Sequence, residues 1–347
     1  MKKSGAWLAR HALEQIGIRY TFGIPGVHNT EIYDELDRSD LVEPLLVTHE
    51  CGAAFMADAV SRTSRQTGTL LIVPAAGVTH AASGIGEAFL DGIPMLVICG
   101  GIRTDTGKAY QLHDIDLHGL LAPITKRTYK IEAHDQIAPT LFEAHQLANA
   151  GEPGPVFVEI PVNIQLFPGE APDPGKPDTA AEERNEPDHD AILRAAQMLY
   201  AAQRPGLFVG WGAVDASAES MRIAQHLNAP VATTLQGLSA FPARHPLHAG
   251  MGFGRAAVPA AANAFARCDC MLAVGTRFSE IATGSYGAVP PEKLVHVDIN
   301  PNVFSANYPA AIAIEGDARA VLGELMQELE ELGPPRQDDG KLKAAIG

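Results

Sequence analysis

Two near-continuous apolar runs constrain this chain more than any other feature: Thr69-Leu70-Leu71-Ile72-Val73 and Met95-Leu96-Val97-Ile98-Cys99. Neither alternates polar with apolar, so each reads as a strand covered on both faces, as strands of parallel sheets are. Residues 81–90 between them have helical spacing. The pattern extends in both directions. Before the first run, 6–16 is helical, 18–23 strand-like, 32–36 helical, 45–48 a strand and 51–62 a helix; beyond the second, 137–150 is a helix and 156–160 a strand. Alternation of this kind predicts a doubly wound parallel sheet.

The alternation then breaks. Pro168-Gly169-Glu170-Ala171-Pro172-Asp173-Pro174-Gly175-Lys176-Pro177 has the Pro, Gly and charge content of an exposed linker, expected to run over 168–189. Helical patterns resume at 192–202, 218–227 and 260–267, with strands at 206–210, 231–234, 271–275 and 294–298. The predicted fold class is therefore α/β, with two doubly wound parallel-sheet domains, 1–167 and 190–332, joined by a Pro/Gly-rich linker. Gly333 to Gly340 reads as a second linker opening a tail over 333–347. A length of 347 residues and an apolar fraction of 46% are enough for two cores.

Composition excludes some partners. A formal charge of −15 disfavours nucleic-acid and anionic-membrane surfaces. No basic start leads into an apolar run with a cleavage site, and no apolar stretch is long enough to span a bilayer, so a cytoplasmic protein is expected. The four cysteines form no disulfide framework, and Cys268-Asp269-Cys270 reads as strand-entrance packing rather than metal ligation.

Glu50 closes the segment Leu45-Leu46-Val47-Thr48-His49-Glu50 and a helical run follows at once. Ligands of open α/β sheets bind outside the carboxyl ends of strands, so an acidic group there is placed to exchange a proton. Alone, it fits a plain strand terminus as well. Other segments add weight: Tyr20-Thr21-Phe22-Gly23-Ile24-Pro25-Gly26, Met56-Ala57-Asp58-Ala59-Val60-Ser61-Arg62, Leu90-Asp91-Gly92-Ile93-Pro94 and Pro123-Ile124-Thr125-Lys126. Gly154-Pro155-Val156-Phe157-Val158-Glu159-Ile160-Pro161 and Ala273-Val274-Gly275-Thr276-Arg277-Phe278 follow. In this order and spacing the chain resembles the thiamine-diphosphate enzymes of the acetolactate synthase and 2-oxo acid decarboxylase superfamily.

The resemblance implies thiamine diphosphate as cofactor and Glu50 as a proton relay, hydrogen-bonded to a ring nitrogen of the aminopyrimidine. Pro25 and Gly26 match the turn that closes over the pyrimidine, although glycine and proline mark many plain turns. The family loop Gly-Pro-Gly-x-Thr-Asn is here Ala75 to His80: Gly77 and Thr79 are kept, while His80 replaces asparagine and either faces the site or sits on a surface loop. His113 falls where acetolactate synthases show glutamine and some decarboxylases histidine; it could donate to a substrate carboxylate or belong to a solvated loop. A metal reading through His113, Asp116 and His118 matches no zinc spacing.

Gly252, Arg277 and Asp298 fall where FAD-containing relatives contact the dinucleotide. Ser279-Glu280-Ile281 replaces the family's Asp-Asp-Arg, however, so a purely structural middle domain is the better single reading and bound FAD the alternative. The family's metal motif, Gly-Asp-Gly with a later asparagine, has no match; Gly316-Asp317-Ala318 lacks the second glycine. The resemblance thus implies a carboligase or decarboxylase of 2-oxo acids, homodimeric or homotetrameric when complete. Here it is represented by its pyrimidine-binding and central domains, inactive alone, with Mg2+ held by a third domain. The rival readings are a non-catalytic FAD- or ADP-holding module and a subunit completed by another chain.

Overall fold

A computed structural model describes residues 1–177, 186–337 and 340–346. The chain divides into two compact units, Met1–Glu182 and Glu183–Gly347. Residues 178–185 of the expected linker, and 338, 339 and 347 of the expected tail, lie outside the described residues.

In the first unit the elements run β1 (Lys2–Ser4), α1 (Gly5–Ile16), β2 (Tyr20–Gly23), α2 (Thr30–Leu36), β3 (Glu43–Leu46), α3 (Glu50–Ser64), β4 (Gly68–Ile72) and α4 (Ala76–Asp91). Then follow β5 (Met95–Gly101), α5 (Leu117–Leu121), β6 (Arg127–Lys130), α6 (Ile137–Asn149), β7 (Pro155–Pro161), α7 (Val162–Leu166) and β8 (Pro168–Glu170). Six strands form one parallel sheet in the order β3-β2-β4-β5-β7-β6. The chain steps outward from β2 to β3 and returns on the other side of β2 as β4, which puts the topological switch between β2 and β4.

Both faces are covered, which is why the central strands read as unbroken apolar runs. Leu71, Leu96, Ile98, Val156, Val158 and Ile160 pack with residues of α1, α2 and α6. Leu70, Ile72, Val97 and Phe157 alternate to the opposite face and are fully buried as well. Helices α3 and α4 pack closely on each other because their contact is made of small residues: a Cβ built on Gly84 would meet that of Ala54 at 2.5 Å. At the far end of this pair the Arg62 guanidinium donates to both carboxylate oxygens of Asp58 (2.7 and 3.2 Å) and to Asp91 (2.8 Å), tying α3 to the last residue of α4.

The second unit contains α8 (His189–Ala201), β9 (Pro205–Val209), α9 (Ser217–Leu227), β10 (Val231–Thr233), β11 (His248–Met251) and α10 (Pro259–Phe265). After these come β12 (Cys270–Val274), β13 (Lys293–Asp298), β14 (Ile312–Glu315), α11 (Ala318–Leu332) and α12 (Lys341–Ile346). Its parallel sheet has the order β11-β10-β9-β12-β13-β14. Numbered within the unit this is 3-2-1-4-5-6, the order of dinucleotide-binding doubly wound sheets. The Asp317 carboxylate accepts from the Ala320 N–H and caps α11. Arg336 donates to the carbonyls of Leu199, Tyr200 and Ala202 at the end of α8. Cys270 is buried as the first residue of β12.

The α/β class with two parallel doubly wound sheets holds, and several local expectations change. Glu50 does not end a strand; β3 stops at Leu46, and His49 caps α3 through a hydrogen bond from Cys51 N–H to its Nδ1 (3.1 Å), making Glu50 the first helical residue. Residues 76–80 are not a loop but the first turn of α4. Residues 168–170, assigned to the linker, form β8 antiparallel to β1, with Lys2 opposite Glu170. Part of the expected tail is helical, as α12. Strands β6, β11 and β14 and helix α11 lie outside the sequence reading; β6 and β14 are four-residue edge strands, polar or alternating, with no apolar run to mark them.

Candidate functional site

The carboxyl ends of β2, β3 and β4 meet at the switch point of the first sheet, and the segments leaving them carry most of the expected site residues. After β2, Gly26 N–H donates to Asn29 Oδ1 (2.8 Å), and the Gly26 carbonyl accepts from the Asn29 and Thr30 N–H groups. Pro25 stands exposed at the tip of this turn. After β4, the chain turns sharply through Ala75, at φ 50° and ψ −98°, into α4.

Val73 joins the two turns. A Cβ added to Gly26 would lie 2.8 Å from its Cγ1, and one added to Gly77 would lie 2.9 Å from its Cγ2 and 3.7 Å from Glu50 Oε1. Bare backbone at Gly26 and Gly77 is thus a packing requirement on either side of one side chain, and Gly77 brings the main chain of α4 up to the carboxylate.

Glu50 itself is 8% exposed. Three features surround its carboxylate. It opens a 15-residue helix, whose amino end carries partial positive charge. His80 Nδ1 lies 3.1 Å from its Oε2. The His80 ring stacks on His49, centroids 4.8 Å apart, which holds the imidazole edge toward the carboxylate. The negative charge is felt nearby: the Tyr33 hydroxyl, donating to Leu71 O (3.0 Å), has its pKa raised first by burial and then by Glu50. Thr79 points away, its hydroxyl donating to Ala76 O.

His113 belongs to a different cluster, in the segment that follows β5. Its ring lies 5.3 Å from that of His28, and the Nδ1 atoms of both are buried without a hydrogen-bond partner. His113 lines a cavity of about 140 Å³ with Ile102, Asp116, His118, Lys130 and Glu159. There His118 Nε2 meets Glu159 Oε2 at 2.9 Å, while Asp116 accepts from Gly119 N–H, so His113, Asp116 and His118 do not converge on one point. Among the described residues no group of three His, Cys, Asp or Glu could hold a metal ion. Sequence reasoning missed His28, His49, Tyr33 and Val73. The signal for His28 was its position two residues past the Gly26 turn.

In the second unit Gly252, Arg277 and Asp298 stand at or just past the carboxyl ends of β11, β12 and β13. Gly252 has φ +78° and donates its N–H to Thr233 O (2.9 Å). Asp298 is buried and accepts from Asn300 N–H (3.0 Å); Arg277 is exposed. At the switch between β9 and β12 a Cβ on Gly212 would fall 2.8 Å from Gly275 Cα, so two backbones pack directly there.

Comparison with known proteins gives the family. Residues 3–120 match the profile described as thiamine pyrophosphate enzyme, N-terminal TPP binding domain, and 192–325 match thiamine pyrophosphate enzyme, central domain. The probable acetolactate synthase large subunit of Methanocaldococcus jannaschii is 36% identical over 332 residues, 94% of this chain and 56% of that protein. The acetolactate synthase large subunit of Haemophilus influenzae is 34% identical over 348 residues, 98% of this chain and 60% of the relative. Acetolactate synthase isozyme 3 large subunit of Escherichia coli is 33% identical, with 94% of this chain and 58% of the relative covered. The chain thus spans somewhat over half the length of these relatives, and no helix among the described residues is long and apolar enough to cross a membrane. With both profiles matched in order, the chain belongs to the thiamine pyrophosphate enzymes and carries their N-terminal TPP-binding and central domains.

Proposed function

We propose that the chain is the pyrimidine-binding and central part of a thiamine-diphosphate-dependent carboligase or decarboxylase of 2-oxo acids, of the acetolactate synthase type. The observation that carries this reading is the Glu50 carboxylate, buried at the amino end of α3, with Oε2 held by His80 and Oε1 beside the bare backbone of Gly77. The cradle fits an aminopyrimidine: an acceptor for a ring nitrogen, and two turns, at Pro25–Gly26 and Gly77–Thr79, whose backbone a planar ring can approach. When bound, the cofactor supplies the electron sink for decarboxylation of a 2-oxo acid.

This chain's own residues would do the following. Glu50 accepts and returns a proton at the ring nitrogen. His80 fixes the carboxylate's orientation through Oε2, leaving Oε1 for the ligand. Gly26 and Gly77 let Val73 pack between the two turns that would flank the ring. His113 faces the substrate side, near the ends of β5 and β7. The diphosphate and Mg2+ would be held by a surface outside these two units, consistent with a chain that spans 56% to 60% of three relatives' lengths. We further propose a cytoplasmic homodimer or homotetramer in which that surface comes from another subunit or domain.

A second reading rests on the second unit. Its 3-2-1-4-5-6 strand order suits a dinucleotide such as FAD, or ADP, with Gly252, Arg277 and Asp298 as contacts. One experiment addresses both. Calorimetric titration with thiamine diphosphate and Mg2+ is expected to show binding that Glu50→Gln weakens about 10- to 100-fold, the worth of a charge-assisted hydrogen bond. Wild-type binding that Glu50→Gln leaves unchanged would sink the catalytic reading. Flavin absorbance, or ADP released on denaturation, would favour the second.

A further inference from the structure

Glu50 opens α3 and His80 lies in the first turn of α4, and the two helix starts are fixed in different ways. Ala75 precedes α4 and has only a methyl group to offer as a cap. The start of α3 is capped, and by an uncommon residue. Helix amino ends favour Ser, Thr, Asp, Asn or Gly, whereas here His49 Nδ1 accepts from Cys51 N–H (3.1 Å). The His49 carbonyl accepts in turn from Ala53 N–H (3.1 Å), so its main chain and ring are both held.

Capping alone does not call for an imidazole. Asn or Ser would accept the same N–H from a smaller side chain, and Asp would place a second carboxylate beside Glu50. What histidine adds is a ring face. The His80 ring lies on it, centroids 4.8 Å apart and planes inclined by 27°. The His80 side chain is 51% exposed, and a half-exposed side chain loses rotamer entropy when it is held in one place. Two contacts hold it: Glu50 Oε2 at its Nδ1 (3.1 Å) and the face of His49.

Hydrogen bonding sets the tautomers of the neutral rings. His49 Nδ1 accepts, so its proton lies on Nε2; a carboxylate oxygen only accepts, so His80 carries its proton on Nδ1. The stacked pair thus has opposite tautomers, one for each hydrogen bond.

We propose that His49 is a positioning residue for Glu50. Its Nδ1 fixes the start of the helix that presents the carboxylate, and its ring face keeps His80 on Oε2, which leaves Oε1 for the cofactor. The inference rests on the reading of Glu50 as the acid that meets the cofactor's ring nitrogen. Its two halves separate by substitution, because an amide caps without a stacking face and a phenyl ring stacks without an acceptor.

The test compares the full wild-type chain with His49→Asn and His49→Phe, in 15N-histidine-labelled protein without cofactor. Long-range ring correlations report each tautomer, with His80→Asn assigning the signal. Urea unfolding reports the first unit through Trp7 in a Trp211→Phe background. Wild type is expected to show His49 as Nε2–H and His80 as Nδ1–H. His49→Asn keeps the urea midpoint within about 0.3 M and loses the Nδ1–H state of His80. His49→Phe keeps that state and lowers the midpoint by about 0.5 M, the loss of one cap. An unchanged His80 signal in His49→Asn overturns the proposal, as do variants in which stability and tautomer move together. Wild-type rings in the same tautomer overturn it even if a variant fails to fold.

Thiamine diphosphate with Mg2+ is titrated separately. Binding should weaken about 3- to 10-fold in His49→Asn and stay within about twofold in His49→Phe. Binding that both variants leave unchanged overturns the positioning role and leaves the functional reading standing. A wild-type chain with the tautomer pattern and no cofactor binding does the reverse: His49 still sets the Glu50–His80 geometry, and the functional reading falls.

Discussion

Replacing Arg62 with alanine should loosen the α3–α4 pair that carries Glu50 and His80 at its other end. The guanidinium makes three charge-assisted contacts, two to Asp58 and one to Asp91, and its side chain is 23% exposed against 9% and 19% for the acids. A fully exposed pair is worth about 0–1 kcal/mol, and breaking a buried one costs about 3–5 kcal/mol. This site lies between those limits, which puts the loss at about 2–3 kcal/mol. With a urea slope of about 2 kcal/mol per molar, the midpoint should fall by roughly 1–1.5 M. The chain has two tryptophans, Trp7 and Trp211, one in each unit, so Trp211→Phe leaves Trp7 as a fluorescence reporter of the first unit alone. Arg62→Lys keeps the charge but loses the fork, and should retain about half of the stability. A loss below about 0.5 kcal/mol for Arg62→Ala, or strict additivity with Asp91→Asn in a double-mutant cycle, would refute the idea that this contact couples the helices.

Two further outcomes are expected. Ala75 holds φ 50° and ψ −98° where the family pattern has glycine, a strain of about 1–3 kcal/mol for a side-chain-bearing residue, so Ala75→Gly should stabilise the first unit by about 1 kcal/mol after the added chain entropy; destabilisation in the Trp7 assay would show that the turn is relaxed. Burial lowers the pKa of His145, which contacts Thr67 Oγ1 at 3.0 Å, below the ordinary value near 6.5. The unfolded chain therefore takes up the proton first as pH falls: stability is full above about 6.5 and declines through the window down to the folded-state value. His145→Gln should flatten part of that decline in urea midpoints measured between neutral and mildly acidic pH, and an unchanged slope would count against it.

Legibility in the sequence followed burial. Strands β4, β5 and β12, sealed on both faces, announce themselves as unbroken apolar runs, and the alternation with helices gives the fold class directly. Edge strands β6 and β14 have no such run, because one side of an edge meets solvent and four residues carry little pattern. Local pattern picked out Gly26, Gly77 and Glu50, and the fold brings Gly26 and Gly77 together on Val73, with Gly77 beside the Glu50 carboxylate. A strand-to-helix transition cannot be dated to a residue from hydropathy, so Glu50 moved from a strand end, and His80 from a loop, into the first turns of α3 and α4. Pairings such as His49 on His80 or His28 beside His113 join residues 31 and 85 positions apart, and no local pattern encodes them.

The β1–β8 clasp has a kinetic side. Met1 and Ala171 exchange backbone hydrogen bonds across the two strands, so one short ladder closes a loop containing nearly all of the first unit. Closing a flexible loop of that length costs about 4–5 kcal/mol of chain entropy, far more than three residue pairs return on their own. The clasp can form only after the sheet has drawn its ends together, and it should be the first contact to open on the way back. Within the first unit, the residues made first are therefore expected to be among the last fastened.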